Sequence, residues 1–381
     1  MEAATTAHSR LRRLAALRPE RGRVLSIYFD LDPSVFPTGR ERASQITSVL
    51  DEAARAVEAR DDLGHDELMG LRADVKRLRG MFDPQRMGAG GARGMAVFAC
   101  GPAGLLEVIR TPYPMQSRMV IEASPYIEPL VAAGEAERWC VVLVNRRDGR
   151  ILFGDEHQLA EQENVRDDTH GQHDQGGFSQ RRYEDSVKED KRDHLDNVAA
   201  RLLALLRQQP FDRLLIGAPE PLDADFKRRL HPYLQERVAG CVRIDVESAS
   251  AADVLAAAAP VFEEHRRRRE RDAVERLRAG LGRPDGRAAA GLPDVLAALN
   301  EQRVEMLLLE PGVGKRGWVD PSTGYLAAEP GPSPTGGELQ EREDVLEAAI
   351  ERAVEQSAEV LVLRDLPDLG PHGGVGALLR F

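Results

Sequence analysis

Short β-rich apolar runs and longer segments of helical periodicity alternate along this chain. Val24-Leu-Ser-Ile-Tyr-Phe29 is a strand pattern closed by Asp30, Asp32 and Pro33. After Pro37-Thr-Gly, the residues Ile46, Val49, Leu50, Ala53 and Val57 recur every three or four positions and predict a helix. A second helix is predicted over Asp66–Met81. Strands follow over Met95–Ala99 and Leu105–Ile109, joined by Cys100-Gly-Pro-Ala-Gly104. The stretch from Pro125 to Glu137 reads as a boundary.

A second segment opens with Trp139-Cys-Val-Val-Leu-Val144. Asp148-Gly149 favour positive φ and predict a hairpin turn that returns the chain as Ile151-Leu-Phe153. A polar stretch comes next, and then a long helix over Tyr183–Leu206 carrying Val187, Leu195, Val198, Leu202, Leu205 and Leu206. Arg213–Gly217 is a predicted strand, Ala224–Gln235 a helix and Val242–Val246 another strand. Ser250 with Asp253 predicts an N-cap for a helix running towards Leu281.

Beyond an Arg/Gly-rich connection, a third segment predicts a helix over Leu292–Asn300 and a strand over Val304–Leu309. It continues through a Pro/Gly/Ser loop around residues 329–337 and an acidic amphipathic helix over Glu341–Gln356. Strands over Val360–Leu363 and Val375–Phe381 end it. Strands alternating with helices predict an α/β protein. Its 381 residues suggest two or three domains, and the segment pattern divides them as 1–135, 136–282 and 283–381.

Composition narrows the setting. The chain is 42% apolar and 30% charged, as expected of a soluble protein, and has no run of about 18 apolar residues that could span a membrane. No secretory signal is recognisable, and three widely spaced cysteines without a CxxC pair fit a reducing cytoplasm. Residues 283–381 carry 9 basic and 17 acidic side chains, a net of −8 out of −11 for the whole chain. That acidity would repel RNA phosphates; it suits either a basic protein face or a merely acidic solvated surface.

The candidate chemistry lies in the polar stretch His170–Arg182, HGQHDQGGFSQRR. Between Val165 and Tyr183 its only large apolar side chain is Phe178, so it cannot build a core. It combines a flexible tip, Gly176-Gly177, with the hydrogen-bonding amide of Gln180 and the positive pair Arg181 and Arg182. His157, His170, His173, Asp174 and Glu161 lack metal-ligand spacing, and no metal or cofactor is expected. The run Arg266–Arg269 lies among glutamates. It reads first as a salt-bridged helix face and second as a phosphate-contacting stripe. Gly373-Gly374-Val-Gly376 lacks the Lys-Ser/Thr and helix of a phosphate loop and reads as entry into a strand.

A hairpin, a glycine-paired polar loop and a long helix in that order, then an α/β module ending HGGVGALLRF, resemble the bacterial branch of the archaeal and eukaryotic peptide-chain release factor superfamily, which includes Pelota. The resemblance is nearest to the Vms-like release factors and covers residues from about 135 to 381. It implies a ribonuclease-H-like middle domain and a three-layer α/β/α third domain. It also implies that Gln180 places a water on the peptidyl-tRNA ester while Gly176 and Gly177 permit the backbone path. Arg181 and Arg182 would contact RNA phosphate, and His170 and Tyr183 would stack on bases. The implied partners are the ribosome, through rRNA and peptidyl-tRNA, and a translation GTPase docking on the third domain, with no DNA and no membrane.

Two functions stay open on this reading. One is an enzyme that hydrolyses peptidyl-tRNA on stalled ribosomes without reading a stop codon. The other is a non-catalytic factor that occupies the ribosomal A site in dormancy or stress. The glutamine stands two residues later than in standard release factors (Gly176-Gly177-Phe178-Ser179-Gln180), which resembles the Vms-like spacing. The codon-reading NIKS tetrapeptide is absent, and Gly314–Asp320 lacks the metal-binding cysteines of some relatives.

Overall fold

The computed structural model describes residues 10–82, 92–111, 113–134, 137–166, 180–283, 286–334, 336–364 and 368–381, with side chains omitted at 132–134, 166 and 180–191. Internal contacts divide the chain into two compact units. One is Ala136–Arg268; the other combines Glu2–Glu135 with Arg269–Phe381. The three-domain division drawn from the sequence we retain as a proposal.

In the N-terminal part of the second unit, β1 (Val24–Asp30) pairs antiparallel with β2 (Gly94–Cys100). The sheet is completed by β3 (Leu105–Thr111) and β4 (Arg118–Glu122) in the order β3-β2-β1-β4. Helix α1 (Gly39–Glu58) starts from a capping box: Thr38 Oγ1 accepts from the Glu41 N–H at 3.2 Å, and the Thr38 N–H donates back to the Glu41 carboxylate at 2.8 Å. With α2 (His65–Met81) it buries Ile46, Leu50, Leu71 and Leu78 against Leu25, Ile27 and Phe29. A short α3 (Glu128–Gly134) follows β4.

The unit Ala136–Arg268 is built on a five-stranded sheet. Its strands are β5 (Trp139–Val144), β6 (Asp148–Gly154), β7 (Leu159–Arg166), β8 (Arg213–Gly217) and β9 (Val238–Val242), in the order β7-β6-β5-β8-β9. The first three form an antiparallel meander, and β8 and β9 join in parallel, which is the ribonuclease-H-like arrangement. Helices α4 (Gln180–Gln208), α5 (Leu222–Arg229) and α6 (Pro232–Gln235) cover one face, through Leu195, Val198, Leu202, Phe226 and Leu234. The other face receives Val254, Ala258 and Phe262 of α7 (Ala251–Leu281). Ser250 and Asp253 cap that helix as the sequence predicts.

Three local expectations need correction here. The hairpin turn is Asn145–Asp148, and Gly149 already lies in β6. The predicted helix Ala224–Gln235 is two helices, because Pro232 holds His231 in an extended conformation (φ −58°, ψ 145°). The strand predicted over Val242–Val246 ends at Val242. The pairing with β8 begins at Val238, in a stretch whose Ala239 and Gly240 hide the strand pattern.

In the C-terminal part of the second unit, β10 (Ala288–Ala290), α8 (Leu292–Asn300) and β11 (Val304–Leu309) come first. A small sheet follows, of β12 (Gly317–Val319), β13 (Leu326–Ala327) and β14 (Gln340–Arg342). Helix α9 (Val345–Glu355), β15 (Glu359–Val362) and β16 (Val375–Leu379) end the chain. The main sheet, β10-β16-β11-β15, is sandwiched as expected. Val295, Leu299, Ala349 and Ile350 of α8 and α9 cover one face, and Ala273, Val274 and Leu277 of α7 the other.

The helix predicted from Glu341 starts four residues later, because Asp344 caps it by accepting from the Leu346 N–H at 3.0 Å while Gln340–Arg342 pairs with β12. Gly373 and Gly374 both have positive φ (69° and 81°), so HGGVG turns into β16. Within this unit one apolar cluster runs continuously from the N-terminal sheet (Val24, Tyr28, Phe98) to α8, α9 and the C-terminal sheet.

Candidate functional site

The sequence points to the connection between β7 and α4. Strand β7 ends at Arg166, opposite Asp148 of the neighbouring strand, and α4 begins at Gln180. Residues 167–179, with His170, Gly176 and Gly177, lie outside the described residues. Gln180, Arg181, Arg182 and Tyr183 form the first turn of a 29-residue helix by their backbone; their side chains are outside the described set.

What the structure describes is the frame that carries this segment. The C-terminal half of α4 is clamped to the sheet by Leu195, Val198, Ala199 and Leu202, all buried. The closest approach is at Gly149, where a Cβ would stand 2.5 Å from Val198 Cγ2. That residue is glycine because a helix crosses it, and not because the turn demands positive φ. At 1.5 Å per residue, the helix carries Gln180 about 27 Å from that contact. The arrangement puts the glutamine at the first position of a helix whose C-terminal half is seated on the sheet.

The strand feeding the segment is fixed by a residue that the sequence pattern does not single out. Arg150, only 9% exposed, donates to the Glu161 carboxylate of β7 at 2.6 and 3.1 Å. It also donates to the carbonyls of Val246 and Ala249 at 2.9 and 2.8 Å. One guanidinium thus joins β6, β7 and the approach to α7, supplying the hydrogen bonds a buried charge requires. The only sequence signal is an arginine placed directly before the apolar run Ile151-Leu-Phe153 of β6. At the hairpin tip, Asn145 Oδ1 accepts from the N–H groups of Arg147 and Asp148 (2.7 and 2.6 Å), an Asx turn that fixes the loop.

The other candidates take structural places. Glu161 is committed to Arg150, the His157 backbone N–H donates to the Asp155 carboxylate at 2.8 Å, and His173 and Asp174 lie outside the described residues. Among the described residues no group of three His, Cys, Asp or Glu could hold a metal. The basic run of α7 is salt-bridged: Arg266 pairs with Glu156 at 2.9 Å, Arg267 with Glu263 at 3.7 Å, and Arg269 with Glu359. Cys100 and Cys140 are buried, and burial pushes the Cys140 thiol well up, so neither is poised as a nucleophile. No described helix is long and apolar enough to cross a membrane.

Residues 125–263 match the family model of Bacterial archaeo-eukaryotic release factor family 10. That span includes the β5–β7 meander, the 167–179 segment and the whole of α4. No relative is found among curated proteins. Among solved structures, the chain is similar to an archaeal translation termination factor, aRF1 (16% identity, 99% of this chain and 98% of that one, TM-score 0.27). It is also similar to archaeal Pelota in a model of the ribosome-bound protein with ABCE1 (19%, 76% and 77%, TM-score 0.45). A third likeness is to Dom34 of S. cerevisiae, a termination-like factor of RNA quality control that interacts with Hbs1 (11%, 74% and 75%, TM-score 0.42).

Proposed function

We propose that this chain, which matches through residues 125–263 the family model of Bacterial archaeo-eukaryotic release factor family 10, acts on ribosomes in the cytoplasm by hydrolysing the peptidyl-tRNA ester without reading a stop codon. The observation that carries the reading is positional. In a domain matched to that family model, the Gly176-Gly177-Phe178-Ser179-Gln180 string stands in sequence between β7 and a long helix, ending on that helix's first residue, and the C-terminal half of the helix is seated on the sheet.

Glutamine is neither a nucleophile nor a base near neutral pH, so Gln180 acts by position. Its amide orients the attacking water or stabilises charge developing on the ester, and the peptidyl-transferase centre supplies the rest. Gly176 and Gly177 allow the backbone to approach closely. Arg181 and Arg182 hold RNA phosphates, while His170 and Tyr183 stack on bases. The acidic third segment is the face for a translation GTPase.

The test is peptide release from purified ribosomes carrying peptidyl-tRNA. The wild type releases peptide, and Gln180→Ala and Gly177→Ala each slow release about a hundredfold while still co-sedimenting with ribosomes. A wild type that binds and releases nothing makes the chain a non-catalytic A-site factor; one that does not bind ends the ribosomal reading.

A further inference from the structure

An exposed pair of rings stands at the start of α6, far in sequence from the glycine-glutamine segment. Tyr233 is 62% exposed, the most exposed large apolar or aromatic side chain among the described residues of the unit Ala136–Arg268. Its ring lies against that of His231, with centroids 4.8 Å apart and planes at 53°. Together they form an open two-ring step.

The step is rigid. His231 Nδ1 accepts from the Tyr233 N–H at 3.3 Å, and the Tyr233 carbonyl accepts from Arg237 Nη1 at 2.6 Å. Gln235 Nε2 donates to the carbonyls of Lys227 and Leu230 (3.2 and 2.8 Å), tying α6 back to the last turn of α5. Beneath it, Phe226, Leu230 and Leu234 are buried. With its backbone fixed on both sides, the tyrosine has only its side-chain torsions left to order on binding.

Its surroundings select the partner. Residues 227–237, KRRLHPYLQER, carry four basic side chains and one acidic, within a segment, 136–282, that is otherwise slightly acidic. Lys227 and Arg228 are exposed; Arg228 donates through Nε to the Ala224 carbonyl at 3.2 Å and lies 3.6 Å from Asp225. No other large apolar side chain of this stretch is exposed, so the patch lacks the apolar core of a protein–protein interface. An exposed aromatic face with cations beside it is the arrangement that stacks an unpaired base and holds its phosphates.

We propose that His231 and Tyr233 form a stacking platform for an unpaired nucleobase of ribosomal RNA, with Lys227 and Arg228 on the adjoining phosphates. This rests on the ribosomal reading above. The experiment measures binding of the full chain to ribosomes and, separately, to a short single-stranded oligoadenylate. Variants are Tyr233→Ala, Tyr233→Trp and Lys227→Glu/Arg228→Glu, with a photo-crosslinker placed at position 233.

Tyr233→Ala weakens both binding reactions at least about fivefold and Tyr233→Trp restores them. The double charge reversal lowers the salt dependence, and the crosslink maps to rRNA. The side chain is exposed, so Tyr233→Ala leaves the unfolding transition in place. Unchanged ribosome binding by Tyr233→Ala, or a crosslink only to ribosomal protein, overturns the platform. Should the wild type not bind ribosomes, the functional reading falls, and the oligoadenylate arm alone decides the platform: sensitivity to Tyr233→Ala supports it and indifference overturns it.

Discussion

Gly149 and Arg150 are neighbours in β6 with opposite tasks. The glycine removes a side chain so that Val198 of α4 can press on the sheet; the arginine adds one that ties three segments together. Gly149→Ala therefore costs about 1–3 kcal/mol through overpacking. Chemical denaturation checks this, and Val198→Ala in the same chain should recover part of the loss. Arg150→Met takes one donor from the Glu161 carboxylate and from the Val246 and Ala249 carbonyls, and lowers stability by about 1–3 kcal/mol in the same measurement. Neither role is legible in the sequence. Asp148-Gly149 has the composition of a turn, yet the turn is made one step earlier by the Asn145 side chain, and the reason for the glycine lies about 50 residues away.

The elements that the hydrophobic pattern marks clearly are those with one or both faces buried. Val24–Phe29, Trp139–Val144, Val304–Leu309 and the long helix after the glycine pair all fall where the sequence puts them. Several of the elements it misses are edge strands, although β12, central in its small sheet, and the short α3 are missed too. β7 reads Leu-Ala-Glu-Gln-Glu-Asn-Val-Arg and lies at the end of its sheet, so its polar side chains face water while its backbone pairs with β6. β4 and β10 are likewise terminal in their sheets.

The seating of α4 is a property of the helix as an element. Leu195 and Leu202, both fully buried, hold it down. Leu195→Ala should cost about 2–5 kcal/mol and speed amide hydrogen exchange across the C-terminal half of α4. Unaltered exchange there would mean that the helix is held by something other than this face.

At the scale of the molecule, part of the acidity of the last quarter is turned inward. In the second unit a cavity of about 350 Å³ is lined by Glu347, Glu351, Glu355, Glu122 and Asp344, with Arg18, Arg342 and Arg352 among them. Burial, then the charges of Glu122, Asp344, Glu128 and Glu351, push the Glu347 carboxyl up to about 8. Burial pushes Glu351 up to about 7 despite its 2.7 Å pair with Arg18.

Both groups bind protons more tightly folded than unfolded. Their contribution to stability is thus complete below the ordinary carboxylate range, near 4.5, and is lost as pH rises through 7 to 8. The thermal midpoint should fall between pH 5 and 9. Glu347→Gln should flatten that fall and raise stability at pH 8 by roughly 1–3 kcal/mol, a figure reduced from the full shift for partial solvent access.

The charge pattern suggested an outward acidic face, because a sequence does not tell which carboxylates fold inside. Nor does it tell that the first and last segments share one apolar cluster. Of the candidate site, the helix that follows the glycine-glutamine string was legible; the frame that supports it was not.

The central claim is that the Gly176–Gln180 tip enters the peptidyl-transferase centre. It is tested most directly by directed hydroxyl-radical cleavage from an iron chelate on Phe178→Cys. Cys241, the one exposed cysteine among the three, is replaced by serine, and Cys100 and Cys140 stay buried. With the protein bound to ribosomes holding peptidyl-tRNA, cleavage is predicted in the large-subunit rRNA that lines the peptidyl-transferase centre. Bound protein that cuts only elsewhere on the ribosome would contradict the account.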